Sequence, residues 1–340
     1  MNKYKTLFIT HRAPVHQKVA LDAAPLSLEV DIRRSPSREE VLDLITEAEF
    51  LISERSSEID AEIIRAGKKL RLIQRLGSQV HDIDLEAARQ AGIKVCFMPV
   101  YTAVTVAEHV LMQLLTLAKR SREMMEICLQ AEDWGLESKR SDENTFVVNW
   151  SQRKAIRTLY HSTVGILGFG EIGTELARRL QNFDGNVLYN KRSRLPEEAE
   201  KQLRIRYAEL DELLAESDYV CSLLPFSPET EKSIGSTFVA RMKPGSCLVH
   251  SGASGVLAEQ ELTEALRSGQ LFGLATDGFE WEPIRPDSPL LEVARQPFAN
   301  ILLTPHSAVA DIDLTVNRRE EDYKNIMNFL ENKSLMYQIV

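Results

Sequence analysis

The sequence has few cysteines, no long apolar run and no excess of positive charge. The four cysteines are Cys96, Cys128, Cys221 and Cys247. They form no Cys-x-x-Cys pair and have no histidine at metal-ligand spacing, so we expect packed, unreactive thiols and no metal site. The longest apolar run, residues 110–118, falls short of the roughly 20 residues that cross a bilayer. An N-terminal apolar core of residues 7–9 is likewise shorter than a signal sequence needs. We therefore expect a soluble, cytoplasmic chain without a membrane partner.

The charge balance is acidic. Fifty Asp and Glu residues outnumber 41 Lys and Arg residues, which leaves a net charge of −9. A chain of this sign lacks the general basic field that holds nucleic acid, so no nucleic-acid partner is expected. With 340 residues and 44% hydrophobic composition, the chain has the size and composition of a globular protein with two domains.

Short apolar runs alternate with helical patterns along almost the whole chain. The first five runs predict strands at residues 6–10, 27–32, 49–53, 70–76 and 94–98. Helical segments lie between them, one opened by the capping-box sequence Ser37-Arg38-Glu39-Glu40 and another, residues 84–90, ended by Gly92. Strands that alternate with helices indicate βαβ units and mostly parallel sheets.

A long helical pattern, residues 102–134, separates this series from a second one that starts at Thr163. We interpret it as the link between two domains. The polar stretch 135–162 that follows is interpreted as a surface insertion or an arm that contacts another subunit. The strands of the second series barely alternate in polarity, which is typical of strands buried on both faces. The fold class is therefore predicted to be α/β, with two doubly wound parallel-sheet domains and a cleft between them.

A glycine-rich turn follows the first strand of the second series. The turn is Gly168-Phe169-Gly170-Glu171-Ile172-Gly173, with a strand before it and a helical pattern after it. This is the context in which such a turn binds the pyrophosphate of a dinucleotide: the glycines permit the tight turn and close backbone approach, and the anion lies on the helix N-terminus. The alternative is a glycine-rich turn that binds nothing.

The end of the next strand bears on the choice of dinucleotide. An NAD-binding site of this kind usually has an acidic residue there for the ribose 2′-hydroxyl. Here the strand is followed by Lys191-Arg192-Ser193-Arg194, with no acid before Glu197. Basic side chains bind a 2′-phosphate, so the sequence favours NADP(H) over NAD(H). A solvated basic turn that accepts either cofactor is the alternative.

Three strand-end segments carry polar residues, 250–254, 277–283 and 304–307. A histidine at such a position is either a structural hydrogen-bonding residue or a group suited to proton transfer. Glu282 lies in the segment 277–283, and His306 follows the last strand of the series. Ligands bind beyond the carboxyl ends of the strands in doubly wound sheets. If the two side chains pair, Glu282 raises the pKa of His306 and makes it a usable general acid or base.

Together these motifs resemble the D-isomer-specific 2-hydroxyacid dehydrogenases. The resemblance covers nearly the whole chain, in the family's order: RSSEIDAEII (55–64), LGSQVHDIDLEAARQAGIKVC (76–96), TAVTVAEH (102–109), VGILGFGEIG (164–173), LDELLAESDYV (210–220), LLPFSPET (223–230), MKPGS (242–246), DGFEWEP (277–283), PDSPLL (286–291) and NILLTPHS (300–307).

The resemblance implies a domain plan and an assembly. It implies a discontinuous substrate domain, residues 1–98 with 308–340, and a dinucleotide-binding Rossmann domain, residues 99–307. It implies a homodimer, paired through an arm near Trp134, that acts on a small-molecule substrate bound between the domains.

The resemblance also implies roles for individual residues. His306 matches the family's general acid–base and Glu282 its carboxylate partner. The implied substrate contacts are Arg55, Gly77 and Ser78. The implied cofactor contacts, besides the glycine turn, the basic turn and His306 itself, are Leu224, Pro225, Thr230, Ser251, Gly252, Ala253 and Asp277.

One departure from the family pattern concerns catalysis directly. The family's arginine lies in a stretch of the type L-I-N-x-A-R-G-G, which reads here as residues 248–255 and puts Ala253 at the arginine's position. That guanidinium grips the substrate carboxylate and polarises the carbonyl, and loss of one such donor typically costs about 100- to 1,000-fold in rate. Gln79 replaces a glycine in the substrate loop, and Ala308-Val309 replaces an Ala-Gly pair.

These observations support two functions. The first is an NAD(P)-dependent oxidoreductase that transfers a hydride between nicotinamide and a small 2-hydroxy or 2-oxo acid or a related carbonyl compound. Arg55 or Arg75 would then supply the missing cation, or the substrate lacks the usual carboxylate. The alternative is a dinucleotide-binding sensor or scaffold with little turnover, suggested by the departures at Ala253, His250 and Gln79.

Overall fold

A computed structural model of the chain describes residues 3–54, 57–131, 135–296, 298–309 and 319–340. The strands are β1 Tyr4–Thr10, β2 Leu28–Arg34, β3 Phe50–Glu54, β4 Leu72–Leu76, β5 Lys94–Met98, β6 Thr163–Leu167, β7 Asn186–Asn190, β8 Arg206–Tyr207, β9 Tyr219–Ser222, β10 Ser246–His250, β11 Leu271–Thr276 and β12 Ile301–Leu303. The α-helices are α1 Pro14–Asp22, α2 Arg38–Leu44, α3 Ala61–Ala66, α4 Leu85–Gln90, α5 Tyr101–Lys119, α6 Ser121–Gln130, α7 Glu171–Leu180, α8 Glu197–Leu203, α9 Leu210–Glu216, α10 Ser236–Arg241, α11 Glu259–Arg267, α12 Pro289–Ala294 and α13 Lys324–Leu330.

The chain divides into two compact units. One consists of Met1–Thr105 with Val309–Val340, and the other of Val106–Ala308. We call them the terminal unit and the central unit. The boundaries predicted from the sequence lie at residues 98/99 and 307/308, whereas the units divide at residues 105/106 and 308/309.

The terminal unit contains a five-stranded parallel sheet in the order β2-β1-β3-β4-β5. Hydrophobic clusters cover both faces of this sheet, because its strands carry apolar residues at consecutive positions. The C-terminal segment belongs to the same core. The Tyr323 hydroxyl is buried and donates to the carbonyl of Ala20 at 2.6 Å, and the Asn325 amide donates to the Gln74 side chain at 2.8 Å.

The predicted helix signals of the terminal unit are confirmed. The Ser37 hydroxyl accepts from the backbone N–H of Glu40 at 3.2 Å, and the Glu40 carboxylate accepts from the backbone N–H of Ser37 at 2.7 Å. Asp84 caps α4 through a bond from the backbone N–H of Ala87, and Gly92 takes a φ of +70° just beyond the helix. Short polar side chains and a glycine thus delimit these helices as the sequence indicates.

The central unit contains a seven-stranded parallel sheet in the order β12-β11-β10-β9-β6-β7-β8. The strand order reverses at β6 and β9, which pair with each other. In doubly wound sheets the carboxyl ends at such a reversal form the ligand crevice. Two hydrophobic clusters, one on each face, bury β9 and β10 almost completely. The predicted α/β fold class with two doubly wound parallel sheets is confirmed.

The prediction of one continuous helix over residues 102–134 is wrong. The helix breaks at Arg120, whose φ of +50° lies in the left-handed region and separates α5 from α6. The Arg120 guanidinium pairs with Glu123 and donates to the carbonyl of Phe298 at 3.1 Å, which holds the break in place. Trp134 lies outside the described residues.

The cysteines follow the expectation except at one position. Cys96, Cys221 and Cys247 are buried, and burial raises the pKa of Cys96 to about 11. Such thiols stay protonated and unreactive at neutral pH. The expectation of packing is wrong for Cys128, which is exposed because it lies on the solvent side of α6, whose buried positions are Glu123 and Ile127. No helix in the described part of the chain combines the length and apolar character that would cross a bilayer.

Candidate active site

The glycine turn lies between β6 and α7, at the reversal of strand order in the central unit. Gly168 has a φ of +86°, and a Cβ there would lie 2.9 Å from the backbone carbonyl carbon of Leu223 after β9. Only glycine satisfies both constraints. Gly173 lets α7 pack closely, since a Cβ there would lie 3.0 Å from the Phe169 ring.

The same turn has the features of an anion-binding cradle. Gly170 is the N-cap residue of α7 and has no side chain that could cover the start of this helix. A Cβ on Gly170 would meet no described atom within 4 Å, so the turn opens onto free space. The N-terminal end of a helix attracts phosphate. These residues therefore fit the pyrophosphate of a dinucleotide. Phe169 is 2% exposed and packs on Tyr189, so only its backbone is available to such a ligand.

The basic turn after β7 is partly engaged within the protein. Arg194 donates to both carboxylate oxygens of Glu200 at 2.9 and 2.8 Å, and the Tyr189 hydroxyl donates to the same carboxylate at 2.7 Å. The bond from Arg194 holds the pKa of Glu200 below its usual range. A 2′-phosphate would have to compete with Glu200 for Arg194. Arg192 and Ser193 are exposed.

The loop that follows β9 is held by its own polar groups. The Thr230 hydroxyl donates to the carbonyl of Pro225 at 2.7 Å and accepts from the backbone N–H of Ser227 at 2.8 Å. These bonds order the loop that contains Leu224 and Pro225. The loop begins next to the glycine turn, since a Cβ on Gly168 would clash with the backbone of Leu223 and Leu224. Three predicted cofactor contacts, Leu224, Pro225 and Thr230, thus belong to one ordered loop.

The loop that follows β10 carries the alanine that replaces the family's arginine. Gly252 packs so closely that a Cβ there would lie 2.5 Å from the carbonyl oxygen of Leu224, and the N–H of Ala253 donates to that oxygen at 2.9 Å. The Ala253 side chain packs against a hydrophobic cluster of the central unit. The Ser251 hydroxyl donates to Gln113 on α5 at 2.9 Å.

His250 supports this loop through hydrogen bonds. It is completely buried, accepts from the Ser222 hydroxyl at Nδ1 and donates from Nε2 to the carbonyl of Ala253, both at 3.1 Å. Burial lowers the pKa of His250 to about 4, so the ring is neutral at neutral pH. Its chemistry is that of a structural hydrogen-bonding residue.

Asp277 organises the segment that bears His306. It is 3% exposed and accepts from the Thr304 hydroxyl at 2.5 Å and from the backbone N–H groups of Ser307 and Ala308 at 3.0 and 2.9 Å. His109 on α5 lies 3.3 Å from the same carboxylate. One carboxylate therefore anchors the chain on both sides of His306. Neither His109 nor Thr304 was among the predicted site residues. His109 ends the motif at residues 102–109, and Thr304 lies within the motif at residues 300–307.

His306 and Glu282 form the ion pair that the sequence predicts. The Nδ1 atom of His306 lies 2.7 Å from Oε2 of Glu282. A carboxylate can only accept, so Nδ1 carries the proton and Nε2 remains for exchange with a ligand. The hydrogen bond to Glu282 raises the pKa of His306, with a further contribution from Asp277, against the opposing effect of partial burial. His306 has a φ of +52°, a backbone conformation that its anchored neighbours sustain.

In the terminal unit, the predicted substrate loop begins with Gly77. Its φ of +124° requires glycine, and its N–H donates to the carbonyl of Met98 at 2.8 Å. Ser78 and Gln79 are buried, 4% and 5% exposed. Arg55 lies outside the described residues. Arg75 is fully buried and bonds to Ser53 and Asp82, so the sequence-based suggestion that it supplies a replacement cation is wrong.

A second polar cluster of the terminal unit was not predicted. Glu54, at the end of β3, accepts from Thr10 at 2.6 Å, from Arg12 at 3.0 Å and from Arg319 at 3.3 Å. Burial alone raises the pKa of Glu54, but the two guanidinium groups and the hydroxyl outweigh it, so its pKa is lowered. The cluster lines a cavity of about 230 Å³ at the carboxyl ends of the strands. It was missed because Arg319 is about 265 residues away from Glu54 in sequence.

Comparisons with known proteins agree with this arrangement. The family model described as "D-isomer specific 2-hydroxyacid dehydrogenase, NAD binding domain" matches residues 111–308. Glyoxylate reductase of Korarchaeum cryptofilum is 31% identical over 295 residues, 86% of this chain and 83% of that protein. Glyoxylate/hydroxypyruvate reductase B of Yersinia pestis is 32% identical over 292 residues, with the same coverage of both chains. D-3-phosphoglycerate dehydrogenase of Archaeoglobus fulgidus is 31% identical over 85% of this chain, which spans only about half, 51%, of that relative's length.

Solved structures are similar as well. A crystal structure of a Pyrococcus horikoshii OT3 protein matches with a TM-score of 0.57 and 27% identity, covering 99% of this chain and 95% of that one. D-mandelate dehydrogenase of Rhodotorula graminis shares the fold, with a TM-score of 0.55, 22% identity and coverage of 100% and 98%. The family predicted from the motifs is confirmed: the chain belongs to the D-isomer-specific 2-hydroxyacid dehydrogenases, oxidoreductases with an NAD-binding domain.

Proposed function

We propose that the protein transfers a hydride between a nicotinamide dinucleotide and a small 2-oxo or 2-hydroxy acid, with His306 as general acid–base. The observation that carries this proposal is the 2.7 Å bond between His306 and Glu282 at the carboxyl edge of the central sheet. The names of the relatives, which include reductases of glyoxylate and hydroxypyruvate, support the substrate class. The comparisons lend no support to the alternative of a sensor or scaffold without turnover.

Residues of the central unit have separate roles in the proposed reaction. A bound nicotinamide supplies the hydride in reduction and accepts it in oxidation. Backbone N–H groups at the start of α7 hold the pyrophosphate. Glu282 holds the Nδ1 proton of His306, so that Nε2 gives a proton to the carbonyl oxygen of the substrate in reduction and takes one in oxidation. Asp277 keeps His306 in place through the backbone of its neighbours.

We assign substrate binding to the terminal unit. The loop at Gly77 and Ser78, which the bond from the Gly77 N–H to Met98 holds in place, contacts the substrate carboxylate, and Arg55 supplies the cation that Ala253 lacks. Of the two arginines suggested by the sequence, only Arg55 remains a candidate, because Arg75 is buried among its own partners. The substrate is thus gripped differently from the family pattern, which favours a substrate other than the family's usual acids.

For the cofactor, we propose NADP(H) in preference to NAD(H). The strand β7 ends at Asn190, whose amide donates to the carbonyl of Ala208 at 2.9 Å, and no carboxylate follows until Glu197. The nearest buried carboxylate, Glu200, is neutralised by Arg194. A 2′-phosphate would therefore meet Lys191, Arg192 and Ser193 without repulsion from an acid at the strand end.

We also propose a homodimer that pairs through residues 135–162. This segment exposes large apolar side chains to an extent that is unusual for a monomer, and all of them except Val148 line a cavity of about 610 Å³. The exposed side chains are Leu136, Phe146, Val147, Val148 and Trp150, which are 45%, 68%, 56%, 78% and 38% exposed. A second copy of the chain is the occupant that the family resemblance implies.

Removal of the His306 imidazole tests the reaction. The purified chain, NADPH and a panel of 2-oxo acids (glyoxylate, hydroxypyruvate, pyruvate and phosphonooxypyruvate) are followed at the nicotinamide absorbance. The variant His306→Ala is expected to lower kcat/KM by about 10²- to 10⁴-fold, the usual contribution of a general acid, with little change in cofactor affinity. The exposed His161→Ala serves as the control. Turnover that survives in His306→Ala, or tight cofactor binding without turnover on any acid, would contradict the proposal.

The pH dependence of reduction tests the role of Glu282. Reduction requires protonated His306, so kcat/KM falls as the pH rises through the pKa of this residue. Because the bond to Glu282 raises that pKa, Glu282→Gln is expected to move the fall to lower pH and to reduce the rate about 10²-fold or more. An unchanged profile in Glu282→Gln would show that another group governs the proton.

Cofactor preference is decided by dissociation constants for NADPH and NADH, measured by titration of the unmodified protein. We expect NADPH to bind about 10- to 100-fold more tightly, the equivalent of one or two charge-assisted bonds to the 2′-phosphate. Lys191→Asp places a carboxylate after β7 and is expected to reverse the preference. Tighter binding of NADH by the unmodified protein would overturn the proposal.

The assembly is tested by sedimentation velocity. Phe146→Asp with Val148→Asp buries charges in the proposed interface and is expected to give monomers where the unmodified chain gives dimers. Val15→Asp, at a side chain that is 65% exposed on α1, is the matched control and should leave the dimer intact. A monomeric unmodified chain, or dimers that persist in the double variant, would refute the interface.

A further inference from the structure

Ser254 makes a contact that the family pattern does not provide. It follows Ala253 directly and stands where the stretch L-I-N-x-A-R-G-G has a glycine. Its hydroxyl donates to Oε1 of Glu282 at 2.8 Å. Both residues lie in the central unit, so the contact is internal to one compact body.

The Glu282 carboxylate is held at both of its oxygens. Oε1 accepts from the Ser254 hydroxyl and from the backbone N–H of Phe279 at 3.0 Å, while Oε2 accepts from His306. Three donors fix the plane of the carboxylate and hence the direction of the imidazole. Gly278 leaves room for the contact, since a Cβ there would lie 2.9 Å from the Ser254 hydroxyl.

The backbone before Ser254 is fixed as well. The carbonyl of Ala253 accepts from the buried ring of His250, and the N–H of Ala253 donates to Leu224. The backbone position of Ser254 is therefore restrained, which limits the positions that its hydroxyl can take. The bond to Glu282 is thus part of the packed loop.

We propose that Ser254 is a positioning residue for proton transfer, whose hydroxyl orients the Glu282 carboxylate and withdraws charge from it. The inference rests on the proposed role of His306 as the proton donor. A glycine at this position, as in the family pattern, has no side chain to make the bond.

The consequence concerns the acidity of His306. Burial raises the pKa of Glu282, but the bonds from His306, Phe279 and Ser254 outweigh it and lower the pKa. A carboxylate that shares its charge with more donors is a weaker base, so it raises the pKa of His306 less than a carboxylate with fewer donors would. The imidazolium then remains a stronger acid, which matters more where no guanidinium at residue 253 polarises the carbonyl.

Among the described residues, few other charges act on this pair. Asp277 also raises the pKa of His306, and it accepts from three donors, the Thr304 hydroxyl and the backbone N–H groups of Ser307 and Ala308. The remaining charges of the segment are paired elsewhere. These pairs are Lys232 with Glu280 at 2.9 Å and Arg285 with Asp287 at 2.8 Å.

The experiment follows the His306 imidazole by NMR in the full-length chain across a pH titration, with the resonance assigned by its loss in His306→Ala. Ser254→Ala is expected to raise the pKa of His306 and to lower kcat/KM for reduction about 2- to 10-fold, the worth of one hydrogen bond, with KM nearly unchanged. Ser254→Thr keeps the hydroxyl and should restore both values. Ser268→Ala, which removes a hydroxyl at the end of α11, is the matched control.

A second background separates positioning from simple structural support. In Glu282→Gln, Ser254→Ala should no longer move the pKa of His306, because the carboxylate that transmits the effect is absent. If Ser254→Ala changes the unfolding midpoint but leaves the pKa of His306 unmoved, the proposal is wrong. The titration needs no turnover, so it can fail or succeed independently of the activity of His306→Ala, which tests the proposed reaction itself.

Discussion

The 2.7 Å bond between the His306 imidazole and the Glu282 carboxylate is the interaction on which the proposed chemistry of this protein depends. It does three things at once. It fixes the tautomer, since the carboxylate accepts from Nδ1; it turns Nε2 outward; and it keeps the ring cationic to a higher pH than a free histidine. The rest of the central unit can be understood as what holds these two side chains at that distance.

Most of that support comes from buried polar groups at the ends of parallel strands. Asp277, after β11, accepts from the Thr304 hydroxyl before His306 and from two backbone N–H groups after it, and Ser254, after β10, donates to Glu282. Parallel strands bring residues that are far apart in sequence to one edge of the sheet. The buried polar groups at this edge form hydrogen bonds with one another. The same edge carries the glycine turn, so the proposed proton donor and the proposed phosphate-binding turn belong to the same sheet.

The loss of the arginine at residue 253 is accommodated by the loop. The Ala253 side chain joins the hydrophobic cluster, and buried His250 binds its carbonyl. The side chains of His250, Ser251 and Ser254 and the N–H of Ala253 all have hydrogen-bond partners, so the loop is packed without the arginine. This is consistent with an enzyme that retains the acid–base half of the family mechanism and binds its substrate in an altered way.

Local sequence was sufficient for the features that depend on near neighbours. The strand β5 begins and ends where the apolar run 94–98 does, the capping box opens α2, and the glycine spacing marks the turn before α7. Each of these follows from backbone geometry within a few residues, so the pattern carries the information. The pair of His306 and Glu282 was within reach because strand ends converge at a sheet edge.

The break at Arg120, the bond between Arg194 and Glu200 and the burial of Arg75 could not be read from the sequence. Each depends on which partner the fold brings near, and a charged residue looks the same in sequence whether it is free or paired. The same holds for Ser254, Asp277 and the cluster of Glu54 with Arg319. The sequence by itself determined the family, the alternation of strands and helices, the phosphate-binding turn and the residues suited to proton transfer, because these are written in local order and spacing. Only the tertiary structure decided which charged and polar groups remain available to a ligand, because hydrogen bonds between distant segments form only when the chain has packed.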